Sequence, residues 1–185
     1  MVPFEDAIGH YTRQLETNKT ANNYWNRAKI WRLKGELDIA LGDMNDAIRL
    51  NSTESAWLHN RGVLWKNKKD YDKAIADYEE ANRLDPKFVY PFIARAWLRA
   101  TCPDAKHRNG QQAVEYATKA CELTAWKNAD YLDTLAAAYA EAGDFDKAVE
   151  WQKKGIDLAP ADQKAAFETR LKLYQDKKPY REPAP

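Results

Sequence analysis

The sequence repeats itself with a period of 34 residues, and most of the residues that recur are small. A step of 34 positions leads from Ala28 to Gly62 and from Ala40 to Ala74. Further columns that match at this step are Ala47 with Ala81, Leu50 with Leu84 and Trp31 with Trp65. Two later copies follow, the first with five extra residues and the second one further residue out of step. Such a period predicts a stack of helix pairs, because one pair of this size cannot bury its apolar face alone.

The clearest copy is the segment 55–86, which reads as two amphipathic helices joined at Lys69–Asp70 and stopped by a proline. Small residues where the helices cross let the backbones approach, and a larger side chain there would cost roughly 1–3 kcal/mol by overpacking. The recurring residues of this copy are Gly62, Trp65, Ala74, Tyr78, Ala81 and Pro86. This set resembles the tetratricopeptide repeat, and the resemblance extends over nearly the whole chain. It implies an all-α fold, a right-handed superhelical solenoid of antiparallel helix pairs with a C-terminal capping helix.

The repeat register predicts a single solenoid domain over residues 1–176. Its expected parts are a half-repeat at 4–17, repeats at 21–52, 55–86, 88–124 and 129–160, and a capping helix at 161–176, followed by an extended tail at 177–185. Gly35 and Gly143 are expected to end the first helices of their repeats. Thr53 or Ser55 is expected to cap the first helix of the second repeat. The breaker Pro103 predicts an enlarged turn inside the third repeat.

Composition argues against several classes of partner. Apolar residues make up 44% of the chain and charged residues 31%, which suits a packed core with a soluble surface. The net charge of +1 gives no field that would draw the chain to nucleic acid or to an anionic membrane. The sequence has no run of 18 or more apolar residues and no signal-peptide pattern at its start. We therefore expect a cytoplasmic protein that binds neither nucleic acid nor membrane.

Residues suited to catalysis or metal binding are sparse. The three histidines do not share a helix at metal-ligand spacing, and no strand–turn–helix motif surrounds either of the two serines. The sequence also lacks a glycine-rich phosphate loop. Cys102 and His107 share the enlarged turn, but no third group is present to orient them as a thiol site. Cys102 and Cys121 are expected to be separate, buried thiols. We therefore expect no enzyme activity, no metal and no cofactor.

In the family that this chain resembles, the first helix of each repeat lines a concave groove that holds an extended peptide or a partner's helix. The repeat register assigns that role to Trp25, Asn26, Lys29, Arg32, His59, Asn60, Lys66, Tyr90 and Trp97. The equivalent Asn26 and Asn60 either bracket the backbone groups of a peptide or are only surface residues of a common repeat type. Trp97 is equally compatible with packing against the enlarged turn. Asp130 and Asp133 predict a groove that is basic early and acidic late.

One groove known from this family is a two-carboxylate clamp for the acidic C-terminal tails of heat-shock chaperones. Lys29 and Asn60 match two of its polar columns. Trp25 stands where the clamp has Lys or Arg, and Tyr90 and Ala94 replace its basic residues in the third repeat. We therefore predict that the chain does not bind chaperone tails.

Three arginines, Arg27, Arg61 and Arg95, also recur at 34-residue steps. One interpretation is a ladder that binds phosphate or an acidic ligand. The other is an ion pair between the two helices of a repeat, because Asp43 and Asp77 recur in step with the first two arginines. We favour the ion pair.

The two ends of the chain suggest further contacts. Phe4, Ile8, Tyr11 and Leu15 form one stripe of the half-repeat that no preceding helix covers. This edge could pair with a second copy to form a homodimer, or the missing helix could belong to a longer protein of which the chain is a fragment. At the other end, a disordered segment 179–181 is the simpler expectation. Docking of that segment into a groove, including that of a neighbouring molecule, is the alternative.

Together these features predict a non-catalytic scaffold or adaptor that binds a protein or peptide partner through a concave groove. The alternative is an accessory or regulatory domain of a larger enzyme or complex. A nucleic-acid-binding helical repeat is a further alternative, which Asp130 and Asp133 disfavour because such a repeat needs a continuous basic face.

Overall fold

The computed structural model describes residues 4–183, and this part of the chain consists of helices without a strand. Its ten α-helices are α1 (Phe4–Thr17), α2 (Ala21–Lys34), α3 (Leu37–Leu50), α4 (Ser55–Asn67), α5 (Tyr71–Leu84), α6 (Val89–Thr101), α7 (Gly110–Leu123), α8 (Ala129–Glu141), α9 (Phe145–Leu158) and α10 (Ala161–Gln175). The all-α prediction is confirmed. The chain divides into two compact units, Met1–Pro86 and Lys87–Pro185, which are described in turn.

The first unit packs α1 to α5 around small and apolar side chains. Helix α2 packs against α3 and α4 against α5, and the short turns make each pair antiparallel. Helix α1 covers part of α2, and α3 also contacts α4. The buried residues of this core include Ala28, Ala40, Leu41, Met44, Ala47, Trp57 and Leu64. The small residues that recur in the sequence therefore lie where helices touch.

Helices α4 and α5 cross closely at Gly62 and Tyr78. A Cβ atom on Gly62 would lie 2.5 Å from Cε1 of Tyr78, so the ring or a helix would have to shift to accept a larger residue. Tyr78 itself is fully buried. The first repeat has Ala28 and Met44 at the equivalent positions, so the larger ring of the second repeat requires the smaller partner.

Residues in the left-handed conformation end the first helix of three repeats. Gly35, Lys69 and Gly143 have φ angles of 89°, 64° and 86°. In each turn the next residue's N–H donates to a carbonyl five residues earlier, in the pairs Glu36 with Trp31, Asp70 with Trp65 and Asp144 with Tyr139. This bond gives a partner to a carbonyl that the helix itself leaves unpaired. The predicted stops at Gly35 and Gly143 are confirmed.

The predicted cap of α4 is wrong. Helix α4 begins at Ser55 after Glu54, and no side chain caps it. The hydroxyl of Thr53 instead donates to Oδ1 of Asn51 at 2.9 Å. The Thr53 hydroxyl is therefore hydrogen-bonded to Asn51 in the turn before α4 and does not cap the helix.

The second unit packs α6 to α10 around a core rich in alanine. Helix α6 packs against α7, α8 contacts both of them, and α9 lies between α8 and α10. The core includes Ala96, Ala100, Ala113, Ala117, Ala120, Leu135, Ala136, Ala138, Ala148 and Tyr174. Gly110 starts α7, and a Cβ atom there would lie 2.4 Å from the backbone N of Ala142. Glycine therefore allows α7 to begin directly against the end of α8.

The enlarged turn that Pro103 predicts joins α6 to α7. It contains a short 3-10 turn at Ala105–His107, and Asn109 then caps α7 by accepting a hydrogen bond from the N–H of Gln112 at 3.0 Å. The same turn reaches back to the end of α6. The N–H of Asn109 donates to the carbonyl of Arg99 at 2.9 Å. The insertion thus provides one of the partners that a helix end needs.

Candidate functional site

The arginines of the first two repeats form ion pairs that tie the two helices of each repeat together. Arg27 donates from Nε and Nη2 to the two carboxylate oxygens of Asp43 at 2.8 and 2.7 Å, and Arg61 repeats this geometry with Asp77. Asp43 and Asp77 are buried. These hydrogen bonds raise the pKa of both guanidinium groups. The ion-pair prediction is confirmed, and the guanidinium edge that a phosphate would use is filled.

The residues predicted to bind a partner in the first unit lie on α2 and α4. We call them the α2–α4 surface, formed by Trp25, Asn26, Lys29, Arg32, His59, Asn60 and Lys66. Arg32 is exposed and the others are half-buried. The Nζ atom of Lys29 lies 3.9 Å from the centroid of the Trp25 ring. Asn60 donates from Nδ2 to the carbonyl of Ala56 at 2.7 Å, so one of its two amide hydrogens is used inside the helix.

His59 contributes a neutral ring to this surface. Its ring centroid lies 5.5 Å from that of Tyr78, in a tilted arrangement. Burial lowers the pKa of His59 to about 4 because the charged imidazolium would lose its solvation. At neutral pH the basic character of the α2–α4 surface therefore comes from its lysines and its arginine.

The tail after α10 returns to α6 in the second unit and lies against it without helix or strand structure over residues 178–183. The indole Nε1 of Trp97 donates to Oε1 of Glu182 at 2.7 Å, and the rings of Trp97 and Tyr180 have centroids 5.8 Å apart. The expectation of a disordered 179–181 is therefore wrong, and the docking alternative holds on the same molecule. The predicted tail also includes residues 184 and 185, which lie outside the described residues.

The tail also completes the C-terminal end of α6. The N–H of Glu182 donates to the carbonyl of Thr101 at 2.9 Å, and Nη1 of Arg181 donates to the carbonyl of Ala100 at 3.2 Å. A cation is favourable here because the helix end carries partial negative charge. Arg108 of the enlarged turn donates to the carbonyl of Cys102 at 2.8 Å. The N–H of Asn109 donates to the carbonyl of Arg99, as described above. All four backbone carbonyls from residue 99 to residue 102 therefore accept a hydrogen bond.

Two charged residues frame the docked tail. Arg181 forms an ion pair with Glu141 at the end of α8. The guanidinium of Arg170 from α10 lies 5.8 Å from the Trp97 centroid and 5.5 Å from that of Tyr180, a cation–π arrangement. No sequence motif indicated Arg170 or Glu141, because their partners lie far away in the sequence. The other predicted residue of this unit, Tyr90, is exposed and its ring contacts Phe88.

Asp133 does not line an acidic groove, contrary to the prediction. It is 4% exposed and accepts hydrogen bonds from Nε2 of Gln152 and Nε of Arg170, both at 2.7 Å. Burial raises the pKa of Asp133, and the Arg170 charge acts against that shift. Because α10 supplies Arg170, the last helix covers this part of α8. Asp130 remains exposed.

The apolar stripe of α1 is only partly open. Leu15 is buried at 5% exposure, Ile8 and Tyr11 are half-buried, and Phe4 is 40% exposed. Helix α2 is the main neighbour of α1 and accounts for this cover. Self-association through this edge stays a prediction, with Phe4 as the residue most available for it.

The described residues hold no candidate metal cluster, and both of their cysteines are buried. Among residues 4–183, no group of His, Cys, Asp or Glu side chains could hold a metal ion. None of the helices in that range has the length and apolar character needed to cross a bilayer. Cys102 and Cys121 are buried and form no disulfide with each other. Burial raises the pKa of Cys121 to about 12, which keeps that thiol protonated and unreactive at neutral pH.

A stacked pair of tryptophans in the second unit was not foreseen from the sequence. Trp126 follows α7 in a turn where Ala125 and Trp126 have φ angles of 51° and 60°. Its ring stacks on Trp151 of α9, with centroids 5.0 Å apart and planes 21° apart. The pair lines an open pocket of about 450 Å³ with Lys154. The signal available in the sequence was a tryptophan in a short connection, because connecting segments lie at the surface and often carry binding residues.

Comparisons with known proteins agree with this fold. The tetratricopeptide-repeat family matches residues 55–88 and 129–162. A comparison with curated proteins gave no match. MamA residues 41 to the end, from Desulfovibrio magneticus RS-1, is 18% identical, with a TM-score of 0.74 over 85% of this chain and 84% of that chain.

Two further solved structures are similar over most of this chain. YrrB, described as a tetratricopeptide-repeat protein with an unusual peptide-binding site, is 18% identical over 91% of this chain and 84% of its own, with a TM-score of 0.72. A tetratricopeptide-repeat protein from Parabacteroides merdae is 20% identical over 94% of this chain and 66% of its own, with a TM-score of 0.73. At such identities the likeness establishes the fold, an all-α helical repeat. The two matched segments carry the tetratricopeptide-repeat pattern.

Proposed function

We propose that this protein is a non-catalytic scaffold that binds partner proteins as extended peptides through the first helices of its repeats. The observation that supports this proposal is the docked tail. Helix α6 contacts the segment through the Trp97 ring, through its indole N–H, which donates to the carboxylate of Glu182, and through the Thr101 carbonyl, which accepts from the N–H of Glu182. Ring contacts and hydrogen bonds to a peptide backbone are the contacts that peptide recognition uses. The likeness to YrrB supports the proposal as well, because that protein is described as having a peptide-binding site.

The α2–α4 surface is the proposed site of the first unit. Arg27 and Arg61 are excluded from it because their guanidinium groups hold Asp43 and Asp77. Lys29 beside the Trp25 ring offers both a charge and an apolar face, so an internal segment with acidic and apolar side chains suits this surface.

The test uses random peptides displayed on phage and selected on the full-length protein. The affinity of each selected peptide is then measured by calorimetry on the wild type, on Asn26→Ala/Asn60→Ala and on Arg49→Ala. We expect the double variant to bind about tenfold more weakly, since two lost hydrogen bonds contribute about 0.5–1.5 kcal/mol each. Arg49 is an exposed residue of α3 and serves as the control, which should bind like the wild type. Failure to select any peptide, or equal binding to all three proteins, would contradict the proposal.

A further inference from the structure

We propose, building on the function proposed above, that the segment Tyr180–Glu182 is a built-in competitor. It occupies a peptide site on α6, and a partner segment must displace it. We call this place the α6 site, formed by Trp97, Ala100, Thr101, Glu141 and Arg170. The partner it fits is an extended segment that carries an aromatic residue, an arginine and an acidic residue in succession.

The chemistry of that partner follows from what each group of the α6 site offers. The indole N–H of Trp97 requires an acceptor, which Glu182 provides at 2.7 Å. The carboxylate of Glu141 pairs with Arg108 through Oε1 and accepts a second cation, which Arg181 provides. The face of the Trp97 ring beside a guanidinium suits a second ring, and Tyr180 lies there. Each side chain of the segment therefore meets a complementary group, whereas a chance contact would leave some of them unmatched.

The segment is less buried than the core residues of α10, although the Tyr180 ring packs against the core of the second unit. Tyr180, Arg181 and Glu182 are half-buried, and none of them is a buried core residue. Phe167 and Tyr174 of α10, in contrast, are 3% and 0% exposed. Segments with few buried apolar contacts open at a small cost in free energy, while the core stays closed. Displacement of the segment should therefore leave α10 in place.

The covalent link between the segment and α10 determines how strongly the segment weakens the binding of a partner. A short linker holds a segment at an effective concentration on the order of millimolar. A segment that bound separately with a Kd of about 100 µM would then be docked about nine-tenths of the time. A competing partner would bind about tenfold more weakly than it binds the open site. The tail thus raises the affinity that a partner needs in order to bind, and weak ligands are excluded.

The alternative role is that of a structural strap, because Glu182 and Arg181 also supply partners to the carbonyls at the end of α6. Binding of a separate peptide distinguishes the two roles. A strap needs no site that accepts a second chain, whereas a competitor leaves an open site when it is removed.

The test uses the full chain with Tyr180→Ala/Glu182→Ala, and a fluorescent synthetic peptide of residues 177–183 as the probe. Fluorescence anisotropy should show binding to this variant and about tenfold weaker binding to the wild type. A probe whose own tyrosine and glutamate are replaced by alanine should bind neither protein. Lys177→Ala/Lys178→Ala is the matched control, because both lysines are exposed, and it should behave like the wild type. Adding Trp97→Phe to the tail variant should remove the binding.

No binding of the probe to the tail variant, or equal binding to variant and wild type, would overturn the proposal. Circular dichroism reports whether the variant is folded. If it is not, Glu182→Met, which keeps the side-chain length but has no oxygen to accept from Trp97, is measured in the same way and must still bind the probe more tightly than the wild type. The two proposals can fail separately. If selected peptides bind the wild type and lose affinity for Asn26→Ala/Asn60→Ala, the proposed function holds even when the probe does not bind the α6 site.

Discussion

Arg95 and Tyr116 occupy the register positions at which the first two repeats have arginine and aspartate. Nη2 of Arg95 lies 2.7 Å from the hydroxyl oxygen of Tyr116, and the guanidinium carbon lies 3.8 Å from the ring centroid. The third repeat therefore joins its two helices through a cation–π contact and a hydrogen bond to a neutral group. This difference shows that the position serves helix packing, and that the partner can change while the arginine stays.

Replacement of Arg27 by leucine should lower the free energy of unfolding by about 2–3 kcal/mol, because Asp43 would stay buried without its partner. Urea denaturation measures the change. Arg49→Leu is the control, since Arg49 pairs with Asp46 at the surface and should cost less than about 0.5 kcal/mol. Peptide binding at the α2–α4 surface should not change in Arg27→Leu. Similar losses in the two variants, or a loss of binding without a loss of stability, would refute a structural role for Arg27.

Two glycines of the first unit should respond in opposite directions to replacement by alanine. Gly62→Ala places a methyl group against the Tyr78 ring and should cost about 1–3 kcal/mol of unfolding free energy. Gly42→Ala meets no atom within 4 Å and should stabilise α3 by up to about 1 kcal/mol, because alanine has the higher helix propensity. Chemical denaturation of both variants checks this. A stabilising Gly62→Ala would mean that α4 and α5 do not cross as closely as described.

The turn after α4 offers a stabilising substitution. Lys69 has a φ of 64° at the position where Gly35 and Gly143 end the first helices of other repeats. Lys69→Gly should raise the free energy of unfolding by about 0.5–1 kcal/mol, since glycine adopts this conformation without strain but gains entropy in the unfolded chain. The reverse change, Gly35→Lys, should be destabilising by a similar amount in the same denaturation experiment. A destabilised Lys69→Gly would show that the lysine side chain makes a contact worth more than the strain.

The sequence predicted the helices well and the partners of individual side chains unevenly. Small residues that recur at the repeat period mark the places where helices cross, so the sequence predicted Ala28 and Gly62 as packing positions. The ion pair of Arg27 with Asp43 was also readable, because both residues recur in step. The burial of Asp133 could not be predicted from the sequence, because its partner Arg170 lies on a helix outside the repeat pattern. The docked tail was visible only as an alternative, since three residues without periodicity do not reveal what they touch.

His59 should make the stability of the first unit depend on pH in the acid range. Its pKa is about 4 in the folded protein because burial disfavours the charged ring, against 6.5 for the free side chain. The unfolded chain therefore takes up this proton first as the pH falls. The stability contributed by neutral His59 is complete above about pH 6.5 and is lost as the pH falls towards 4, by up to about 3 kcal/mol.

Urea denaturation between pH 7 and pH 4.5 tests this effect on the wild type, His59→Gln and His10→Gln. The stability of His59→Gln should fall less steeply with decreasing pH, because glutamine does not titrate. His10 is an exposed residue of α1, so His10→Gln should follow the wild type. Comparison of variants is needed because Asp133 acts in the opposite direction: its raised pKa means that its contribution is lost as the pH rises. Equal slopes for His59→Gln and the wild type would mean that His59 takes up a proton in the folded protein, which would add a positive charge to the α2–α4 surface in mild acid.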